Sequence, residues 1–430
     1  MRLFALTLCV ALGLFAQQTP NSAHPVTLTF TQALARARQY GIDLQTANIA
    51  ALLAREDRIQ AKAALLPQTQ QVDEFIYTQP NDTLSGIFVP NDGPHVYYVY
   101  AQAHEDLSFV HRAEYHRAQA AEALAQAKAD LAARGLFGTL AQDYYGLVIA
   151  ERKLANAGQT LRDAQAFQDI TEKLEKGGES AHADVIKAQL QTQQRERDVS
   201  DARLAIEKAR LTLAVLIFPD FQQNFGVTDD LDQMPPLESL DQVREQAQAK
   251  SPELRIAQAG IRQEKADISA ARAAYLPAPF MDYYYGIQAN QLALYNHLHE
   301  NNLGSVFDVG VNIPLWTWGA TQSKVRQAQL REQQANLELS LTQRQLLADL
   351  NAFYAEAQLA RSQLDSLRSS LTLATESLRL TVLRYQGGEA TALEVVDAQN
   401  TLAAARDALD NGYLRYRVAI ANLQSLTGNF

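Results

Sequence analysis

The chain has 430 residues, 47% of them hydrophobic and 20% charged, which permits folded cores and excludes a disordered or collagen-like polymer. A formal charge of −10 argues against a nucleic-acid partner, which would attract basic patches. The single cysteine, Cys9, excludes a disulfide framework and a thiolate-rich metal site.

Residues 1–16 read MRLFALTLCVALGLFA, with Arg2 ahead of an apolar run that stops at Ala16, the pattern of a secretory signal peptide. The remaining chain is expected to leave the cytoplasm and to carry no cysteine. Leu8 is not the small residue that lipoprotein processing favours before a cysteine, and only eight residues precede Cys9. Past this leader no stretch approaches the roughly 18 apolar residues of a membrane-crossing helix, so any membrane insertion has to use strands.

A first unit is expected over residues 17–218. It opens with a helix over 31–65 and continues with a β-hairpin over 68–105. A long helix over 106–176 would make a rod of roughly 105 Å at 1.5 Å per residue. The tip at 175–184, EKGGESAHAD, turns the chain into a return helix over 181–217. Gly177 and Gly178 mark the reversal, because glycine takes the left-handed conformation that closes a helix. Leu140, Leu147, Leu154 and Leu161 step by seven along the long helix. The return helix is about half as long as its partner, so it and the opening helix are expected to stack end to end along the rod.

Residues 219–252 read as a linker, with four prolines and the acidic run TDDLD at 228–232. Beyond it the chain repeats itself. A shift of 210 residues lays RIQAKAALLP (58–67) on ISAARAAYLP (268–277), Tyr144 on Tyr354, and EKGGESAHADVIKAQ (175–189) on YQGGEATALEVVDAQ (385–399). A second unit is therefore expected over 253–430, with a hairpin over 278–314 and a tip over 385–397 that reverses at Gly387 and Gly388. No proline interrupts 95–218 or 315–430. Leu350, Ala357, Leu364, Leu371, Leu378 and Tyr385 step by seven, as do Val395, Leu402, Leu409, Tyr416 and Leu423, which is coiled-coil spacing. Ala398, Ala405, Gly412 and Ala419 supply a small-residue row beside the second stripe. Such stripes indicate packing rather than a ligand site.

In both hairpins the spacing switches from helical to alternating. Tyr97 and Val99 alternate with Tyr98 and Tyr100; Tyr283, Tyr285 and Ile287 alternate with Tyr284 and Gly286; Phe307, Val309 and Val311 alternate with Asp308 and Gly310. Residues 70–109 and 280–318 hold 15 of the 34 aromatic residues, including Trp316 and Trp318, which fits an aromatic girdle. One apolar and one mostly polar face are the mark of outer-membrane strands, with Tyr97, Val99, Tyr283, Tyr285, Ile287, Phe307, Val309 and Val311 turned to lipid. A soluble hairpin with one buried face has the same alternation. Four strands cannot close a barrel alone, and open edges are not tolerated in lipid, so in a membrane several chains must share one.

Taken together, NIPLWTWGATQSKVRQAQ (312–329) and YQGGEATALEVVDAQNTL (385–402) resemble the strand-to-helix junction and second hairpin tip of the TolC family of outer-membrane efflux proteins. The similarity runs over essentially the whole chain after the leader. It implies a mainly α fold with a small β part. The expected assembly is a homotrimer whose long coiled-coil hairpins form a periplasmic tunnel below a shared outer-membrane β-barrel, four strands coming from each chain. It implies an exit duct for small molecules in a Gram-negative-type bacterium, with the tips at Gly177, Gly178, Gly387 and Gly388 facing a periplasmic adaptor and an inner-membrane pump. It also implies that Glu394 and Asp397 line an acidic constriction and that Tyr385 and Asp184 form a link that holds the tips closed. The chain departs from the pattern at Ala390, where the best-known form has an arginine.

An exit duct for one-step protein secretion has the same sequence features, and a secreted coiled-coil scaffold or adaptor that never enters lipid would explain the heptads but not the aromatic hairpins. Nothing indicates an enzyme, a cofactor or a metal. HEDLSFVH (104–111) spaces its histidines by seven, HLHE (297–300) falls in an expected loop, and TDDLD lacks the glycine and glutamate of a calcium loop.

Overall fold

The computed structural model describes residues 26–77, 95–220 and 224–428. The expected signal peptide with Cys9, residues 78–94 of the first hairpin, 221–223 of the linker and the last two residues lie outside the described residues. The described chain runs β1 (Val26–Leu28), α1 (Phe30–Tyr40), α2 (Ile42–Ala63), β2 (Gln68–Tyr77), β3 (His95–Asp106), α3 (Phe109–Lys176) and α4 (His182–Ile217). It continues through β4 (Phe225–Val227), α5 (Leu240–Lys250), α6 (Pro252–Ala273), β5 (Ala278–Ala289), β6 (Leu303–Asn312), α7 (Ala320–Gln386) and α8 (Ala392–Thr427). The helices α1, α2 and α4 recur as α5, α6 and α8 with the same lengths of 11, 22 and 36 residues. Each recurs 210 positions later, as the starts at 30 and 240, 42 and 252, and 182 and 392 show.

Three local expectations need correction. The opening helix expected over 31–65 is two helices, because Gly41 takes an extended conformation (φ −61°, ψ 110°) between α1 and α2. A Cβ at Gly41 would fall against the Ala37 carbonyl and the Leu136 side chain, so a long residue is sterically excluded there. The equivalent joint in the second half is Ser251, whose hydroxyl accepts from the Leu254 N–H at 3.3 Å while Pro252 begins α6. The long helix starts at Phe109 rather than 106, since the strand alternation persists through Asp106 and Ser108 supplies the N-cap. The linker is not irregular throughout: it contains β4 and α5.

Strand β4 pairs in parallel with β1, matching Val26 with Phe225 and Leu28 with Val227. This ties the linker to the start of the chain. Tyr144 on α3 is fully buried, and its hydroxyl donates between the carbonyls of Leu28 at 3.0 Å and Thr228 at 2.9 Å. Burial pushes its phenol well above the ordinary range, and Asp230 adds to the rise. Tyr416 on α8 likewise donates to the Pro235 carbonyl at 2.6 Å. The acidic run around them is paired: Asp229 receives both Nε (2.5 Å) and Nη2 (2.8 Å) of Arg152, Asp232 and Asp410 meet Nη1 of the same arginine, and Asp230 meets Arg417. These acids strap the linker across α3 and α8.

Helices α3 and α7, of 68 and 67 residues, are the rods against which the shorter helices lie. Along α7 the heptad residues Leu350, Ala357 and Leu364 are fully buried, and α8 answers with Val395, Leu402, Tyr416 and Leu423. Gly412 sits where a Cβ would approach Leu364 and meet Leu367, so the small row accommodates the large one. Burial of such side chains at roughly 25 cal/mol per Å² is the main stabilising term of the bundle.

The four longer strands form one antiparallel sheet in the order β2-β3-β5-β6. The β3–β5 ladder, from Tyr97 opposite Ala289 to Asp106 opposite Phe280, joins the two halves. The helices leave the sheet at the end opposite the two hairpin loops.

Tyr144→Phe removes a hydroxyl that donates to two carbonyls, of which that of Leu28 still accepts from the Thr228 N–H at 3.0 Å, while leaving the ring in place. It is expected to lower stability by about 0.5–1.5 kcal/mol, read as a lower thermal midpoint, whereas the same change at the half-exposed Tyr98 should have little effect.

Candidate functional site

The two helix reversals are Schellman caps. At the first, Gly178 donates to the Glu175 carbonyl at 2.8 Å and Glu179 to that of Leu174 at 2.8 Å; at the second, Gly388 donates to Tyr385 at 3.1 Å and Glu389 to Arg384 at 2.8 Å. Only the second glycine of each pair is left-handed, with φ of 76° at Gly178 and at Gly388. Gly177 and Gly387 remain right-handed, at φ −79° and −83°, so the left-handed requirement expected of each pair rests on one residue.

The helices beyond the caps start differently. Thr391 caps α8 through a capping box with Glu394: its hydroxyl accepts from the Glu394 N–H at 3.3 Å, and the Glu394 carboxylate accepts from the Thr391 N–H and hydroxyl at 3.1 Å each. These bonds to Thr391 hold the Glu394 carboxyl below its usual range, and Arg384, 3.7 Å away, adds to the effect. The corresponding residues of the first tip are Ala181 and Asp184. Ala181 has no hydroxyl to offer, so Asp184 instead pairs with Lys187 at 3.3 Å. Asp397 occupies the position that Lys187 holds in the first tip, and its side chain is exposed. The first tip thus carries a paired acid and base where the second carries two acids.

Tyr385 is where the two tips meet. It is 6% exposed, its ring stands edge-on to Phe167 with centroids 5.1 Å apart, and Ala188, Ala392 and Val395 complete a small core. Its hydroxyl lies 3.1 Å from Ser180 Oγ. The expected partner, Asp184, is engaged with Lys187, so within one chain the tyrosine-aspartate link is replaced by a tyrosine-serine link. Ala390, the residue that departs from the efflux-protein pattern, packs against this core. Ser180 escaped the sequence reading because it falls opposite Ala390 in the repeat, with no counterpart to draw notice.

At the far end, register decides the faces of the sheet. Val99 lies opposite Ile287, Ile287 opposite Leu303, Tyr283 opposite Phe307, and Met281 opposite Val309. Since directly opposed residues point the same way, Tyr97, Val99, Tyr283, Tyr285, Ile287, Phe307, Val309 and Val311 all share one face. Among the described residues no helix covers it: Phe307 and Val309 are 63% and 61% exposed, and Trp316 and Trp318, edge to face at 5.8 Å, project beyond its helical end. The opposite face is bonded across strands. Gln70 donates to Gln102 at 2.8 Å, Gln102 to Asp282 at 3.0 Å, and His104 Nδ1 lies 2.8 Å from the same Asp282 oxygen. The His104 side chain is thus part of this network, and His297 and His299 lie in the exposed β5–β6 loop. Among the described residues no three His, Cys, Asp or Glu side chains gather as a metal set, and no helix is long and apolar enough to cross a membrane.

Residues 243–429 match the family model for outer membrane efflux proteins. The chain is thus similar to outer membrane efflux proteins of the TolC family, the family model covering its second half. Outer membrane efflux protein BepC of Brucella suis is 25% identical over 284 residues, which are 65% of this chain and 59% of BepC, so the match spans under two thirds of that relative. Among solved structures, a membrane protein from Pseudomonas aeruginosa superposes with a TM-score of 0.81 at 18% identity, covering 94% of this chain and 91% of that one. The Campylobacter jejuni CmeC outer membrane channel gives 0.81 at 16% identity, covering 93% and 85%. These superpositions fix the fold: long helices carrying a small antiparallel sheet.

A double-mutant cycle on Tyr385→Phe and Ser180→Ala is expected to return a coupling of about 0.5–1.5 kcal/mol in thermal denaturation, and the cycle of Tyr385→Phe with Asp184→Asn close to none. Because the Glu394 carboxyl is held below its unfolded value, its contribution is present above about pH 4.3 and lost as pH falls through the lower folded value. Melting of the α8 tip followed toward acid should therefore lose this component in Glu394→Gln.

Proposed function

We propose that three copies of this chain close one outer-membrane barrel and continue below it as a periplasmic tunnel, a passive exit duct that carries small molecules from an inner-membrane pump and its adaptor to the exterior. The observation that carries this reading is the sheet. Among the described residues strands β2 and β6 each have one neighbour, leaving both edges without partners there, while the uncovered apolar face of 10- to 12-residue strands is right for lipid. An open edge in hydrocarbon leaves peptide groups unpaired, and β6 of one copy joined to β2 of the next removes both edges at once. Apolar residues on the helices ask for the same neighbours: Leu330, Leu337, Leu373 and Leu380 on α7 and Leu190, Leu204 and Leu211 on α4 are all exposed at heptad-related positions.

In such a trimer the tips converge, and three copies each of Glu394 and Asp397 would ring the entrance, giving it a preference for cations. The Tyr385–Ser180 contact would keep the tips packed until an adaptor competes for them. A secreted scaffold outside lipid would leave the apolar sheet face in water.

The detergent-extracted protein is expected to have the mass of a trimer; a monomer that purifies without detergent would refute the duct. In planar bilayers with a salt gradient, the reversal potential should show cation preference, and Glu394→Ala with Asp397→Ala should bring it toward zero.

A further inference from the structure

The bonded face of the sheet carries a concavity near its hairpin-loop end that the duct by itself does not require. Tyr98 and Tyr100 of β3 and Tyr284 of β5 all point to this face, since Tyr100 is opposite Gly286, two residues from Tyr284, and Tyr98 is opposite Gln288. Their rings stand edge to face, with centroids 6.4 Å apart for Tyr98–Tyr100 and 5.4 Å for Tyr100–Tyr284. Beside them the surface falls away at Gly286 and Gly304, which oppose each other across β5 and β6. Gly286 is required by close approach: a Cβ there would fall on the Val99 carbonyl and the Tyr100 Cα. Gly304 has open space where its Cβ would be. The result is a cavity of about 440 Å³, walled by tyrosine rings and reached by Gln288 and Asn302. That volume lies within the range that holds drug-sized ligands.

Charge lies next to it. Tyr284 is two residues from Asp282, about 6–7 Å along the strand, on the same face. Asp282 stands directly opposite Asp308, so two carboxylates share this row, and Asp308 is exposed. The cation facing Asp282 is His104 when protonated, and no lysine or arginine lies on any of the four strands. Gln102 donates to both Asp282, at 3.0 Å, and the Tyr284 hydroxyl, at 3.3 Å, connecting the acidic row to the tyrosines. Tyrosine faces attract cations and stack on flat rings, and an adjacent carboxylate adds to the first effect without favouring an anion.

We infer that the cradle of Tyr98, Tyr100 and Tyr284 over Gly304 is a binding site for planar aromatic cations on their way through the barrel. This rests on the duct reading and gives it a substrate class. In a trimer the site would occur three times around the lumen, near the exit. It is a place of transient stacking, weak enough to release outward.

The test uses the full trimer in planar bilayers, with ethidium as the planar cation and fluorescein as a planar anion, each added on the hairpin-loop side. Ethidium is expected to interrupt the current at concentrations where fluorescein does not. Tyr100→Ala with Tyr284→Ala should raise the blocking concentration at least about tenfold, and Tyr100→Phe, which keeps the ring, should not. Gly304→Leu fills the cavity from its floor with every tyrosine retained and should abolish the block while the channel still conducts. A conducting channel whose ethidium block is unchanged in Gly304→Leu and in the double variant, or one blocked equally by fluorescein, would overturn the site alone. A protein that forms no channel at all would overturn the duct, and the site with it.

Discussion

Among the described residues strands β2 and β6 pair on one side only, and the rest of the molecule is arranged around that unfinished edge. A peptide group without a partner costs little in water but several kcal/mol in hydrocarbon. The sheet is uncovered on its apolar face, so water suits the face poorly and lipid suits the edges poorly. Under the proposed duct, neighbouring copies would close the edges and lipid would cover the face. The tandem repeat contributes by placing a hairpin in each half and joining them through the β3–β5 ladder, so one chain presents two complementary edges instead of four.

Tyrosine hydroxyls mark the points where separate parts of the chain are fastened. Tyr144 and Tyr416 donate to backbone carbonyls of β1 and the linker, holding the strap across the rods. Tyr385 instead meets another hydroxyl, Ser180, at the tips. The difference is in what is at stake. Breaking the first two leaves the hydroxyls of the buried Tyr144 and Tyr416 without partners, whereas Ser180 and Tyr385 can both turn to water when the tips part. A contact that is cheap to open suits a gate, and one that is expensive to open suits the strap. In the sheet, the hydroxyls of Tyr98 and Tyr100 make no hydrogen bond among the described residues, and their rings border the cavity beside Gly304.

The paired tips show how a duplicated segment acquires unequal roles by few substitutions. Thr391 and Glu394 cap α8, while Ala181 leaves Asp184 to Lys187. With Asp397 where the first tip has Lys187, the second tip carries two acids, Glu394 and Asp397, beside one arginine, Arg384. The helix geometry is kept because the Schellman caps depend on one left-handed glycine each, and Gly178 and Gly388 are present in both copies.

Much of the fold was legible in the residues alone. Heptad leucines from Leu350 to Leu364, the proline-free stretches, and the alternation of Tyr283, Tyr285 and Ile287 each follow from a period that packing imposes on sequence. The shift of 210 residues tied both halves to one plan. What periodicity could not reveal were contacts between distant segments. The β1–β4 pairing involves three residues on each side, too few to carry a pattern, and Arg152 meets Asp229 only because the linker folds back over α3. At Gly41 a side chain would meet Leu136, far along the chain. The partner of Tyr385 was decided in the same way: a hydroxyl and a carboxylate four residues apart were both available in the first tip, and the turn of the Schellman cap brought Ser180 within reach while α4 turned Asp184 toward Lys187. Sequence determines which faces a segment has; only the tertiary structure decides which face another segment finds, because that depends on distances no local pattern encodes.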